Sequence, residues 1–370
     1  MHFLTRRRFL LLLGSAAGLS ACGLELGLGA EASFDEVLRA LHAAGPTTVD
    51  GLTNHLPMAA EALAELGVPE RVVAWVQAHQ GDLIALPEAA ALPDDERASA
   101  LGDAEQSAAW IARYVADVEA LGVQAVIDRD HAMLLPGWFG AGWHGALRVG
   151  HALRSLDRGD TADRRREVAH GLGYMAALFQ ELPGAPGASP EAGLDPVAAL
   201  AGVPLVAAGE RVTDGTILDR VAPTNDLAGL AESIERVDLD AVEVSAGLAE
   251  LAAAAARMFL SDGADDVVLL HAVTGTSAAR LWLPWLDAAA QRALLGFAFQ
   301  SVAVARSATR GELGTPGEIA SDSAARASVL EVAAQADDAH VIKLGEAALR
   351  EHGVVARPEL LEAALAWQGF

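Results

Sequence analysis

The chain has 370 residues, 52% of them hydrophobic, and a formal net charge of −24 at pH 7. This composition supports a large apolar core and excludes a disordered chain, while the acidity disfavours nucleic acid and anionic lipid headgroups as partners. A single cysteine, Cys22, excludes internal disulfides and any zinc site built from several cysteines.

In chain order, residues 1–22 read as an export signal. Thr5 to Leu10 carries a twin-arginine pattern, and the apolar run Phe9 to Leu13 is too short to span a bilayer. Leu19-Ser20-Ala21-Cys22 resembles a lipobox, in which the Cys22 thiol is acylated; the competing reading is cleavage after Ala30-Glu31-Ala32. Both imply export by the twin-arginine route to the periplasm or cell surface, with membrane contact only through an N-terminal lipid. Loss of residues 1–21, which hold three arginines and no acid, takes the net charge from −24 to −27.

Residues 23–32 read as a Gly-rich flexible linker and 33–370 as one domain. Ser33 and Glu36 have capping-box spacing, with Gly45 as the stop. Helical periodicity follows through 58–66, 70–80, 105–121, 143–156, 161–182, 240–260, 287–306, 324–335, 338–352 and 358–367. In 111–121, for example, Ile111, Tyr114, Val115, Val118 and Leu121 share one side. Period-two alternation is scarce, and 182–196 reads as a long surface loop. The fold class is therefore all-α: a single large multi-helix domain with helices packed in antiparallel layers.

The chain has eleven histidines and, beside twenty-five arginines, one lysine, Lys343. His42, His79 and His352 sit near helix ends and read as solvated imidazoles or as charge partners of helix C-termini. His144, Arg148 and His151 line one helix face behind a Gly- and Trp-rich stretch holding Trp138 and Trp143, a face suited either to an aromatic, partly anionic ligand or, on a half-buried helix, to pairing with nearby acids. Asn54 and His55 precede a helix and fit either a cap or a site. His271 lies in an apolar run, where a buried imidazole needs a partner or a ligand. Asp337 or Asp338 can cap a helix that places His340 and Lys343 on one side. The glycines of 170–178 fit close helix packing. Local metal-binding, Walker, Rossmann and nucleophile-elbow spacings are absent.

Five segments, NHLPMAAEAL from Asn54, WHGALRVGHALRSL from Trp143, RRREVAHGLGYMAALFQELP from Arg164, HAVTGTSAARLWLP from His271 and DDAHVIKL from Asp337, resemble in order the questin oxidase-like family. A departure is Ala339, where the family pattern has an acid. The resemblance implies a helical oxidoreductase that inserts oxygen into an anthraquinone-like aromatic ring by Baeyer-Villiger-type chemistry, with dioxygen and NADPH. It implies His55, His144, His271, His340 and Lys343 as catalytic. Asn54, Trp138, Trp143, Arg148 and His151 are then substrate contacts, with Arg148 and Lys343 stabilising an oxyanion or peroxo adduct. A metal held by several of the histidines is the competing form of the site. Export also conflicts with a cytoplasmic nicotinamide donor. The alternatives in other classes are a lipid-anchored binding protein for an aromatic molecule and a metal-dependent hydrolase or lyase.

Overall fold

Acidic and hydroxyl side chains start most of the long helices. Thr161, Glu243, Asp266, Asp287, Asp322 and Asp338 each accept from backbone N–H groups of the turn that follows, satisfying donors that a helix cannot bond internally. The computed structural model describes residues 24–309, 311–319, 322–367 and 369. Among them are seventeen α-helices and one two-stranded antiparallel sheet, Ala44–Thr48 with Leu83–Ala85. The all-α, single-domain expectation holds. The signal and Cys22 lie outside the described residues.

Glycines let the central helices approach closely. In the helix Ala162–Ala177, a Cβ on Gly173 would lie 2.7 Å from the Ile111 backbone, and one on Gly171 would lie 3.1 Å from the Val149 nitrogen. This helix therefore packs directly on Ser107–Leu121 and His144–Arg158. His144–Arg158 also meets Leu56–Glu65 and Val267–Trp282, and Ala339–Val355 packs on both of the latter. The apolar helix Val244–Ser261, long enough by length and composition to cross a membrane, is mostly buried against Val267–Trp282 and Pro358–Ala366.

Several expected boundaries move. Ser33 and Glu36 do form the capping box, but the helix Phe34–Leu41 ends at His42 and Gly45 belongs to the strand. Gly122, with φ at 84°, ends one helix and opens Val123–Leu134, which the periodicity had not shown. Residues 24–32 are not a free linker: Leu24, Leu26 and Leu28 pack on the smaller core, and Leu26 N–H donates to Gln80 Oε1 at 2.8 Å.

Candidate metal centre

Four helix N-termini bring four imidazoles together. His55 is the N-cap of Leu56–Glu65, His144 the first residue of His144–Arg158, His271 the fifth of Val267–Trp282 and His340 the second of Ala339–Val355. Their rings form a closed quadrilateral. Neighbouring centroids are 4.9 Å apart for His55 and His144, 4.7 Å for His144 and His271, 5.2 Å for His271 and His340, and 4.6 Å for His340 and His55.

The ring nitrogens do not satisfy one another. His144 Nδ1 lies 2.6 Å from the Ala141 carbonyl oxygen and His271 Nδ1 lies 2.8 Å from that of Val267. A carbonyl only accepts, so both rings carry the proton on Nδ1 and present a bare lone pair at Nε2. Yet these two Nε2 atoms are 3.1 Å apart, and His55 Nε2 is 2.9 Å from His144 Nε2. One proton on His55 serves His144 and leaves the His144–His271 contact unserved. A cation among the nitrogens resolves the conflict, and carbonyl-oriented imidazoles are a familiar arrangement around metals. Ligand atoms of His55, His271 and His340 also fall within 4.8 Å of one another.

The electrostatics keep these rings neutral. Burial, together with the Lys343 charge, pulls His144 down to about 3. Burial also drives His55 and His271 well below the usual imidazole value, and His340 is lowered by burial against the upward pull of Asp338. Helix N-termini add positive potential of the same sense. Asp338 caps the last of the four helices through the His340 and Val341 N–H groups, and its Oδ1 lies 3.3 Å from His340 Nδ1.

Lys343 is fully buried, and its Nζ has no hydrogen-bond partner among the described residues. Burial lowers it to about 7, partly opposed by Asp338. Glu346, three residues on, pairs instead with Arg154 and Arg350.

A strained turn aims His144. Ala141, Gly142 and Trp143 have φ values of 54°, 62° and 69°, a left-handed run that two non-glycine residues adopt at a cost of order 1–3 kcal/mol each. Trp143 is pinned by its Nε1 donating to Ser301 Oγ at 2.9 Å and by Phe139 edge-on at 4.6 Å. The turn points the Ala141 carbonyl at the His144 ring.

The five residues expected to be catalytic meet here; the five expected substrate contacts do not border a cavity that reaches the imidazoles. Arg148 is buried in an ion pair with Glu167 at 2.7 Å, and His151 Nδ1 is 2.6 Å from Glu61 Oε2. Both face the carboxylates of neighbouring helices, which correct the ligand-face reading. Trp138 packs against Trp282 in the core, Trp143 holds the turn, and Asn54 bonds Gly45 O and Leu56 N–H. His42 and His352 are buried rather than solvated, His42 facing Glu167 at 3.2 Å and His352 facing Arg326 at 3.1 Å.

Two cavities border the quadrilateral. One, of about 340 Å³, touches all four histidines and is walled by Leu178, Ile217, Leu218 and Val267. Tyr174, which the sequence had not marked, contributes its wall; its hydroxyl is 2.8 Å from Thr53 Oγ1, and burial pushes it up to about 12. The other, of about 810 Å³, reaches His55 and His340 and carries Asp50, Asp82, Asp337 and Asp338. Neither has an arginine or lysine among its lining residues. Comparison with protein-family models and with curated proteins returns no match to this chain.

Proposed function

We propose that the protein is a metal-dependent oxidoreductase acting on an apolar, hydroxylated aromatic substrate, in keeping with the resemblance to questin oxidase-like enzymes. The observation that carries this reading is the facing pair of bare Nε2 lone pairs on His144 and His271, inside a ring of four buried imidazoles. Imidazole donors suit iron, copper, nickel and zinc rather than magnesium or calcium. Such a metal, when bound, supplies the redox chemistry or polarises an oxygen.

The chain's own groups divide the remaining work. The 340 Å³ cavity excludes water from a flat ring system through Leu178, Ile217 and Leu218. Tyr174 stays protonated at neutral pH and has its hydroxyl placed to bond a substrate oxygen. Lys343, titrating near 7, takes or returns a proton beside the imidazoles, and the four helix N-termini favour a phenolate over a phenol.

Reduced nicotinamide does not carry over from the resemblance. Among the described lining residues its phosphates would meet no arginine or lysine in either cavity and, in the larger, four aspartates. A substrate that provides its own electrons fits this electrostatics better.

The test is metal titration followed by oxygen uptake with a hydroxyanthraquinone and no added reductant. Expected are one tightly held transition metal per chain, lost in His271→Ala, and substrate-dependent uptake that a chelator abolishes. Absence of metal binding by the parent, or parental affinity in His271→Ala and His144→Ala, overturns the reading.

A further inference from the structure

The two cavities share Leu52, Thr53, His55 and His340, so the imidazole ring stands between two mouths. Their linings differ in kind. The smaller has no carboxylate among its described lining residues and is walled by Leu52, Leu178, Ile217, Leu218 and Val267 beside its histidines, threonines and Tyr174. The larger holds Asp50, Asp82, Asp337 and Asp338 with no lysine or arginine among its lining residues.

Carboxylates on the surface of an acidic protein mean little alone. Here the floor of the cleft provides a second observation: it is formed by His55 and His340, two of the three imidazoles whose ligand atoms lie within 4.8 Å of one another, and His55 Nε2 lies 2.9 Å from His144 Nε2. A cation approaching that floor meets adverse potential from four helix N-termini and, below pH 7, from the Lys343 ammonium. The smaller mouth has no carboxylate among its described lining residues to offset this. The acidic mouth has them, and clefts lined by one sign of charge raise association rates of the opposite charge by roughly 10–1,000-fold.

We propose that the acidic cleft is the loading route for the divalent metal, which leaves the smaller cavity to the organic substrate. This rests on the metal-centre reading above. The two reactants then reach the centre through different mouths, with Leu52, Thr53, His55 and His340 as their shared wall. Asp82 is exposed, and the Asp337 side chain is 87% exposed, so both act through their field rather than by ligation. Asp50 and Asp338 also hold local backbone, Asp50 through the Leu52 N–H and Asp338 through the helix cap.

The test uses Co²⁺ and the metal-free protein, with Asp82→Asn/Asp337→Asn compared against Asp95→Asn/Glu119→Gln, which changes the total charge equally away from the cleft. At low salt the cleft variant should take up cobalt about tenfold more slowly, and its rate should lose most of its dependence on ionic strength. The control should match the parent within about twofold, since screened distant charges contribute little. Equilibrium affinity in the cleft variant should change much less than the rate. An unchanged rate, or equal slowing in the control, overturns the loading route while leaving the metal centre intact. Failure of the parent protein to bind cobalt overturns both.

Discussion

Trp143 lies against Gly275, one turn beyond His271 on the same helix: a Cβ at position 275 would collide with the indole ring. The glycine thus makes room for the residue that holds the left-handed turn before His144, linking two of the four imidazoles through packing rather than through a shared bond. Gly275→Ala is expected to lower stability by about 1–3 kcal/mol, the usual range for overpacking a filled core. It should also weaken metal affinity, because the displaced indole releases the Ala141 carbonyl from the His144 ring. Thermal unfolding and metal titration on the same samples check both effects. A destabilised protein with parental metal affinity would dissociate the turn from the site.

Metal affinity should depend on pH through the lysine rather than the histidines. The imidazoles are already neutral at pH 7, whereas Lys343 at about 7 is half protonated there. Below that pH a metal displaces about one proton from the amine, so log affinity should rise by about one per pH unit and flatten above it. Lys343→Met should give a nearly flat profile over the same interval. Calorimetry in buffers of different ionisation enthalpy counts the proton directly.

Acid stability has a separate origin. Burial alone would raise Glu346, but Arg154 and Arg350 hold it down to about 2 from an ordinary value of 4.5. A carboxyl lowered by folding contributes stability that is present above pH 4.5 and lost as the pH falls through about 2. The difference corresponds to about 3 kcal/mol. Glu346→Gln should be less stable at neutral pH and show a shallower loss between pH 4.5 and 2 in acid-unfolding curves. Equal slopes in the two proteins would show that Glu346 does not carry that part of the transition.

Tyr174 sets a prediction about selectivity. Tyr174→Phe keeps the ring but removes the hydroxyl bonded to Thr53. Binding of a hydroxylated polycycle should weaken about fivefold, as for loss of one neutral hydrogen bond, and binding of the same polycycle without its hydroxyl should not change. Equal losses for the two ligands would mean that the variant disturbs the cavity rather than recognition.

Much of the fold was readable in advance because it follows local rules: caps such as Asp287 and Asp338, and apolar spacing along single helices. Val123–Leu134 escaped because Gly122 reads as a terminator and because Asp128, Arg129 and Asp130 interrupt the apolar pattern, although Asp130 is buried in ion pairs with Arg97 and Arg129. The strand at Ala44–Thr48 escaped because it is short and holds Gly45 and Pro46. His55, His144, His271, His340 and Lys343 were identified through ordered resemblance; His340 and Lys343 share one helix three positions apart, but no local spacing joins them to the other three, each of which comes from a different helix end. The misassigned residues share one cause. Arg148 and His151 do lie on the expected helix face, but that face meets Glu167 and Glu61 from other helices, and partners at such sequence distance leave no local sign. Tyr174 was hidden for the same reason: its role depends on Thr53, 121 positions away.

The chain's one lysine has a practical consequence. Its Nζ is sealed inside the protein, and every other basic side chain is a guanidinium or an imidazole. An acylating reagent aimed at side-chain amines therefore has a single target, out of reach while the fold stays shut. The pace at which that reagent modifies Lys343 is a natural clock for how often the imidazole chamber opens, and it needs no label introduced by design.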